Sequence, residues 1–366
     1  MNRSIPQIHF ITQFHYNFFV CRHVKMLILL AIICCHSVGY SQVIRGTVFD
    51  KNTAEVIPFA SIYFSGTTLG TTSNEKGYFE LSPPKDMSNP LIVSSVGFYS
   101  ATLTTIITSG MLLVNLEPKT YNLLDIEVSG DESRNIRKRY FPIFRNEFLG
   151  KKINPKLCRI INEGDIMLQY DGNRKFLKAF ANRPIRIQNK QLGYDIIYYL
   201  DRFEFSLLNK SLVFTGNYIF TPILAKDSKQ QEEFEINRVN AYLGSRMHLF
   251  RSLWEDNLEL SGFVAVNIRG EPIPPDKLRI GTITSPNGVP LKVLSMLGPF
   301  GFYYKLPARL TKMVVQNGML PFDSNGYFDP MGIVWEGYMA NKRISDLLPF
   351  EYNPHASALK KSKEFK

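Results

Sequence analysis

The chain has 366 residues, 45% of them hydrophobic and 13% aromatic, which is enough for sizeable cores and too apolar for a disordered tether. Its formal charge is +11, and Arg3, Arg22 and Lys25 stand in a stretch without acids, leaving +8 for residues 42–366. Apart from Arg134, Arg137, Lys138 and Arg139 the basic residues are scattered, without the clustering or interleaved aromatics of a nucleic-acid surface, so the charge reads as solubilising and no nucleic-acid partner is expected.

The first element is an apolar run of about ten residues after Met26, followed by small residues at Gly39 and Ser41. It is too short to span a bilayer and has the anatomy of a secretory signal, so residues 1–41 are expected to be removed near Gln42. Residues 1–25 are long and aromatic for the front of a signal, which makes Met26 the better start. The expected location is therefore the periplasm or the outer membrane. Lipid anchoring at Cys34 or Cys35 would place Ile33 or Cys34 where a small residue is wanted. Of the four cysteines only Cys158 lies beyond Gln42, so an intrachain disulfide in the mature protein is excluded. No later apolar run is long enough for a transmembrane helix.

Residues 43–128 alternate in short β runs broken by turn residues, with runs at 43–50, 58–65, 78–81, 91–96, 99–105 and 111–116. Regular turns without a helical period predict a small antiparallel sandwich. The strings IRGTVFD from Ile44, IPFASIY from Ile57, GTTLGTTSNEKGYF from Gly66 and LIVSSVGF from Leu91 resemble the carboxypeptidase regulatory-like domain. That resemblance implies a transthyretin-like sandwich, of a kind found beside metallocarboxypeptidases and in front of outer-membrane receptors. Gly77 is expected at a positive-φ turn position, and Gly97 at the end of the strand from Leu91.

Residues 130–152 read as a charged connector, with a short helix interrupted at Pro142. Just before it, residues 123–128 resemble the strand that joins such a sandwich to the plug of a TonB-dependent receptor. The remaining 235 or so residues cannot supply a plug and a large barrel. Residues 153–366 read instead as a larger β-rich domain of unknown function, with strands at 166–170, 176–181, 185–188, 194–208, 211–223, 263–268, 278–284, 301–306, 312–315 and 333–338. Within it Ile236, Val239, Leu243, Met247, Phe250 and Trp254 recur at helical spacing and predict one amphipathic helix over 232–256, its stripe buried on the sheet. Arg246 falls beside that stripe and is expected to meet an acid. The strings NRVNAYLGSRMHLFRSL from Asn237 and KRISDLLP from Lys342 resemble the long form of bacterial carboxypeptidase-like regulatory domain-containing proteins, a resemblance that implies no activity for this region.

Catalytic chemistry finds little material. A zinc carboxypeptidase needs histidines and a carboxylate converging on the metal, whereas beyond Gln42 the histidines are His248 and His355 alone, neither followed by a glutamate at a useful interval. Triads built on serine or Cys158 meet the same shortage. No catalytic, cofactor-binding or metal-ligating residues and no cofactor are assigned. Asp165, Asp171, Asp195, Asp201 and Glu204 stand among aromatics, as in glycosidases, although acids beside turn glycines are ordinary hairpin residues. His248, Arg251 and Glu255 share a helical face and, with Arg246, form the one candidate recognition or structural polar cluster.

The expected architecture is mainly β: a transthyretin-like antiparallel sandwich over 42–129, then a larger β-rich domain carrying one long amphipathic helix. The expected function is non-catalytic binding or scaffolding in the cell envelope, with an envelope protein or glycan as partner. Two other readings stand beside it: an envelope hydrolase acting on glycans through the carboxylates of the second domain, and an accessory subunit of a TonB-dependent receptor.

Overall fold

The computed structural model describes residues 43–84, 86–106, 110–119, 130–151, 154–305 and 309–364. The apolar segment from Met26 and the stretch 123–128 lie outside the described residues. The fold is mainly β, with several sheets.

Strands β1 (Ile44–Asp50), β2 (Ser61–Phe64), β3 (Gly70–Thr72), β4 (Tyr78–Leu81), β5 (Leu91–Ser94), β6 (Ala101–Leu103) and β7 (Met111–Leu116) form the first part. They make two sheets, ordered β4-β1-β7 and β3-β2-β5-β6. All pairings are antiparallel except β1 with β7. Alternation decides which side chains enter the sandwich: Ile44, Val48, Phe79, Val114 and Leu116 from one sheet meet Ile62, Phe64, Leu91 and Val93 from the other. Gly77 takes φ +71°, and a Cβ there would stand 2.8 Å from the Val48 carbonyl oxygen, so the turn before β4 needs glycine.

The sheet containing β5 departs from a half-solvated sandwich, because all four β5 residues are buried. Its second face is covered by a third sheet. That sheet comprises β8 (Cys158–Ile160), β9 (Ile166–Asp171), β10 (Phe176–Ala181), β11 (Ile185–Asn189), β12 (Tyr194–Ser206) and β13 (Leu212–Pro222). Tyr63 of β2 stacks on Tyr199 of β12 with ring centroids 5.6 Å apart. The loop after β2 continues the contact: Gly66 N–H donates to the Tyr218 carbonyl (2.7 Å), Phe220 N–H to the Thr67 carbonyl (2.9 Å) and Phe350 N–H to the Gly66 carbonyl (3.0 Å). Glu351 accepts from the Thr68 amide and hydroxyl at 2.6 and 2.8 Å. Elsewhere Asp323, fully buried, accepts from the Ser88 amide and hydroxyl at 2.7 and 3.0 Å. Asn287 accepts from Ile106 N–H and donates to the Thr104 carbonyl. Val43–Lys366 accordingly forms one compact unit holding two separate apolar cores.

The opposite face of the third sheet is covered by α1 (Gly130–Leu149), the segment expected to be a charged connector. Phe144 and Phe148 are fully buried, meeting Phe203 at 4.8 Å and Tyr198 at 5.1 Å, while Tyr140 stacks on Tyr170 at 4.3 Å. Pro142 lies within the helix on its exposed side and does not interrupt it. The connector is therefore a core helix, because its aromatic side chains gather on one face while Lys138 and Arg139 stay in water.

A second difference concerns the helix expected over 232–256. It is two helices, α2 (Ser228–Tyr242) and α3 (Arg246–Trp254). Gly244 takes φ +70°, where a Cβ would lie 2.4 Å from the Tyr304 ring, and the Ser245 hydroxyl then caps α3 by accepting from His248 N–H at 3.1 Å. The apolar stripe survives the break: Val239, Leu243, Met247 and Phe250 are buried, and Ile236 and Trp254 are partly so.

The chain closes with β14 (Phe263–Val266), β15 (Ile280–Thr284), β16 (Pro290–Ser295), β17 (Phe300–Tyr304), β18 (Arg309–Val315), β19 (Met319–Phe322), β20 (Ile333–Gly337) and α4 (Ala356–Glu364). These strands form the sheets β14-β17-β18-β20 and β15-β16-β19. Phe250 of α3 packs among Phe322, Phe328 and Trp335, which joins α3 to both sheets. Among the described residues no helix is long and apolar enough to cross a membrane.

Candidate functional site

The polar cluster expected on one helical face occupies α3, but seven of the nine α3 residues are buried. His248 sits between the rings of Tyr242, Phe263 and Tyr304, at centroid distances of 4.8, 5.0 and 5.7 Å. Its Nδ1 accepts from Gly244 N–H at 3.1 Å, which requires the neutral ring with its proton on Nε2. Burial, reinforced by Lys305 and Arg251, pushes its pKa down to about 4.

A pH dependence follows. Between the unfolded value of about 6.5 and the folded value, the unfolded chain takes up a proton that the folded chain refuses, so stability is lost as pH falls through that window. By pH 5 the loss from this one group is about 2 kcal/mol. Urea melts at pH 7 and pH 5 should show His248→Asn, whose Oδ1 can accept the same amide, with a shallower decline than the native protein. Equal declines would refute the assignment.

Arg251, over the Tyr242 ring that His248 also meets, ties down the C-terminal segment. Its Nε donates to the Asn325 carbonyl (3.0 Å), Nη1 to the Tyr352 carbonyl (2.8 Å) and Nη2 to the Phe350 carbonyl (2.8 Å). Arg246 was expected to meet an acid, and here the structure differs. Nη2 donates to the Met339 carbonyl at 3.0 Å, the guanidinium lies 5.1 Å from the centre of the Trp335 ring, and the buried Nε has no partner. Burial, with Arg343 adding to it, lowers its pKa to about 10. A carbonyl and an aromatic face thus take the place of the carboxylate. Glu255, exposed at the end of α3, accepts from the Asn257 side chain at 2.7 Å. The four residues do not converge on a recognition patch. The i, i+3 spacing of His248 and Arg251 holds, but that face looks inward, onto Tyr242, Tyr304 and the C-terminal segment rather than water.

The carboxylates suggested for glycan chemistry are also separated. Asp171 closes the β9–β10 turn by accepting from Arg174 and Asn173 N–H groups, which holds its carboxyl below the usual range. Asp165 accepts from the Asn162 side-chain Nδ2 at 2.8 Å. Glu204 is bound by Arg202 at 2.8 Å, which lowers its pKa. Asp195 and Asp201 lie on exposed positions of β12, Asp201 beside the bulge between Leu200 and Arg202. Partial desolvation raises the Asp201 carboxyl, and Lys119 opposes the shift. Among the described residues no three His, Cys, Asp or Glu side chains gather as a metal ion would require. Cys158 is buried and unpaired, its thiol pushed up to about 12 by burial.

Two buried carboxylates went unnoticed in the sequence. Asp323 accepts from Asn325 and Tyr327 N–H groups as well as Ser88, and the turn residues of DSNG after Phe322 are the signal that could have found it. Glu147, on the inner side of α1, lies 3.1 Å from Lys151 Nζ and 3.6 Å from Arg343 Nη2. Its i, i+4 relation to Lys151 was legible, its burial was not.

Residues 44–128 match the family model of the CarboxypepD_reg-like domain, so this segment is a carboxypeptidase regulatory-like domain. The match covers β1 to β7 and ends before α1. No curated protein matches the chain.

Proposed function

We propose that this protein is exported and serves as a non-catalytic binding or scaffolding component of the cell envelope. The observation that carries the reading is the two-sided burial of the sheet β3-β2-β5-β6. A carboxypeptidase regulatory-like sandwich is built in as a fixed layer, leaving the outer faces of a rigid β body for contact with a partner. The buried polar residues with the chemistry for a reactive centre support the same reading, since His248, Arg251, Asp323 and Glu147 are engaged in holding elements together. The apolar run after Met26 and the small residues before Gln42 supply the export signal.

Affinity purification of the C-terminally tagged chain from detergent-solubilised envelopes tests the proposal. The expected result is a mature N-terminus near Gln42 and one envelope protein recovered in constant ratio to the bait. Recovery of the chain from the cytosol with residues 1–35 retained would overturn the location. Glycan hydrolysis by the purified protein, lost in Asp201→Asn, would overturn the non-catalytic role.

A further inference from the structure

Between the last turns of α1 and the hairpin joining β12 to β13 runs a half-open groove of about 420 Å³. Its walls are mainly apolar: Ile143 of α1 faces Phe205 and Leu207 of the hairpin. Charge is placed unevenly along it. Glu147, its side chain only 8% exposed, is paired by the largely buried Arg343 from within and by the exposed Lys151 from the groove side. Lys210, at the hairpin turn, extends over the Phe205 ring with its ammonium 6.0 Å from the centroid. Among the described residues Lys210 forms no ion pair with a carboxylate. Among the lining residues Lys151 and Lys210 stand against the single Glu147, which Lys151 already pairs, so the charge left over in the groove is that of Lys210.

Asn146 also lines the groove, but the backbone of its walls offers little for a polypeptide to pair with. The hairpin backbone is already bonded, with Leu207 N–H to the Lys175 carbonyl (2.9 Å), Ser206 N–H to the Ser211 carbonyl (2.9 Å) and Lys210 N–H to the Ser206 carbonyl (3.0 Å). On the α1 wall, at the end of the helix, the Asn146 carbonyl accepts from Gly150 N–H (3.0 Å) and the Glu147 carbonyl from Arg343 Nε (2.8 Å). A bound peptide would bring a row of N–H and C=O groups without backbone partners, whereas a hydrocarbon chain brings none. The volume falls within the range of about 300–1,000 Å³ typical of small-molecule sites.

We infer that this groove binds a free long-chain carboxylate, its acyl chain lying along Ile143, Phe205 and Leu207 and its headgroup at Lys210. The inference goes beyond the proposed envelope role and does not depend on it. Isothermal titration of the full chain with laurate below its micellar concentration provides the test, with dodecyltrimethylammonium as the probe of equal chain length and opposite charge. One laurate per chain is expected, and at least tenfold weaker binding of the cation. Lys210 has φ +61°, a backbone that asparagine also tolerates, so Lys210→Asn should fold normally and weaken laurate at least threefold. Leu207→Trp fills the groove and should abolish binding; if that variant fails to fold, Lys210→Asn alone decides. Equal affinity for the cation, several laurates per chain, or unchanged binding in Lys210→Asn would each overturn the inference. Co-sedimentation with phosphatidylglycerol vesicles in the absence of laurate binding would do so as well, assigning the groove to a membrane surface.

Discussion

Phe250→Ala is expected to lower the unfolding free energy by about 3–5 kcal/mol. Phe250 is fully buried, and its ring lies 5.1 Å from Phe322, 4.4 Å from Phe328 and 6.3 Å from Trp335. Removing it deletes the contact that ties α3 to two different sheets, and aromatic neighbours drawn from separate elements cannot all collapse into the void. Phe250→Leu, which keeps most of the volume, should cost much less. Urea melts measure both, with an unchanged denaturant slope showing that the transition is the same. A Phe250→Ala loss within about 0.5 kcal/mol of zero would mean the stripe is not core.

Arg251→Met is expected to cost a similar amount for a different reason. Methionine preserves the aliphatic stem, so the loss isolates the guanidinium and leaves the Asn325, Phe350 and Tyr352 carbonyl oxygens without their donor. A fully buried orphaned acceptor costs about 1–3 kcal/mol; the Tyr352 carbonyl is buried and the other two partly so, where water entering the site will recover part of the loss, so about 3–5 kcal/mol in total is the expectation. Hydrogen exchange separates this from general destabilisation. The amide of Phe350, bonded to the Gly66 carbonyl at 3.0 Å, should lose protection ahead of amides in β12. Uniform loss across the chain would show that Arg251 does not specifically hold the C-terminal segment.

The sandwich was legible because its information is local. Alternation in β1 places Ile44 and Val48 inward, and turn glycines such as Gly77 mark where strands end. Strands over residues 166–222 were readable for the same reason. The helix break was harder, since the apolar stripe keeps its helical spacing from Val239 through Phe250 and overrides the local signal of Gly244 followed by Ser245. A glycine that ends one helix beside a serine that caps the next was present, but hydrophobic period alone does not register it. In α1 the charges at 134–139 drew attention from the aromatic face at Tyr140, Phe144 and Phe148, and Pro142 suggested an interruption that its exposed position makes unnecessary. β8 and β19, at three and four residues, are too short for periodicity to reveal. The helical spacing of His248 and Arg251 was visible, but whether that face met solvent depended on residues about a hundred positions later. Sequence reports which residues share a face, and tertiary context decides what covers it.

The junction around Gly66 and Thr68 has a consequence for the order in which the molecule can be completed. Thr68 and its acceptor Glu351 are separated by 283 positions, nearly the full span of the compact unit. During synthesis the sandwich strands precede the rest of the compact unit, yet the Gly66 carbonyl and Thr68 amide have no native partners until Phe350 and Glu351 exist. Contacts this distant carry the largest loop-closure entropy and form late. The segment at Phe350 and Glu351 therefore acts as a seal on a domain made well before it, and a chain truncated before Phe350 would leave that seam open to solvent however well its individual sheets had formed.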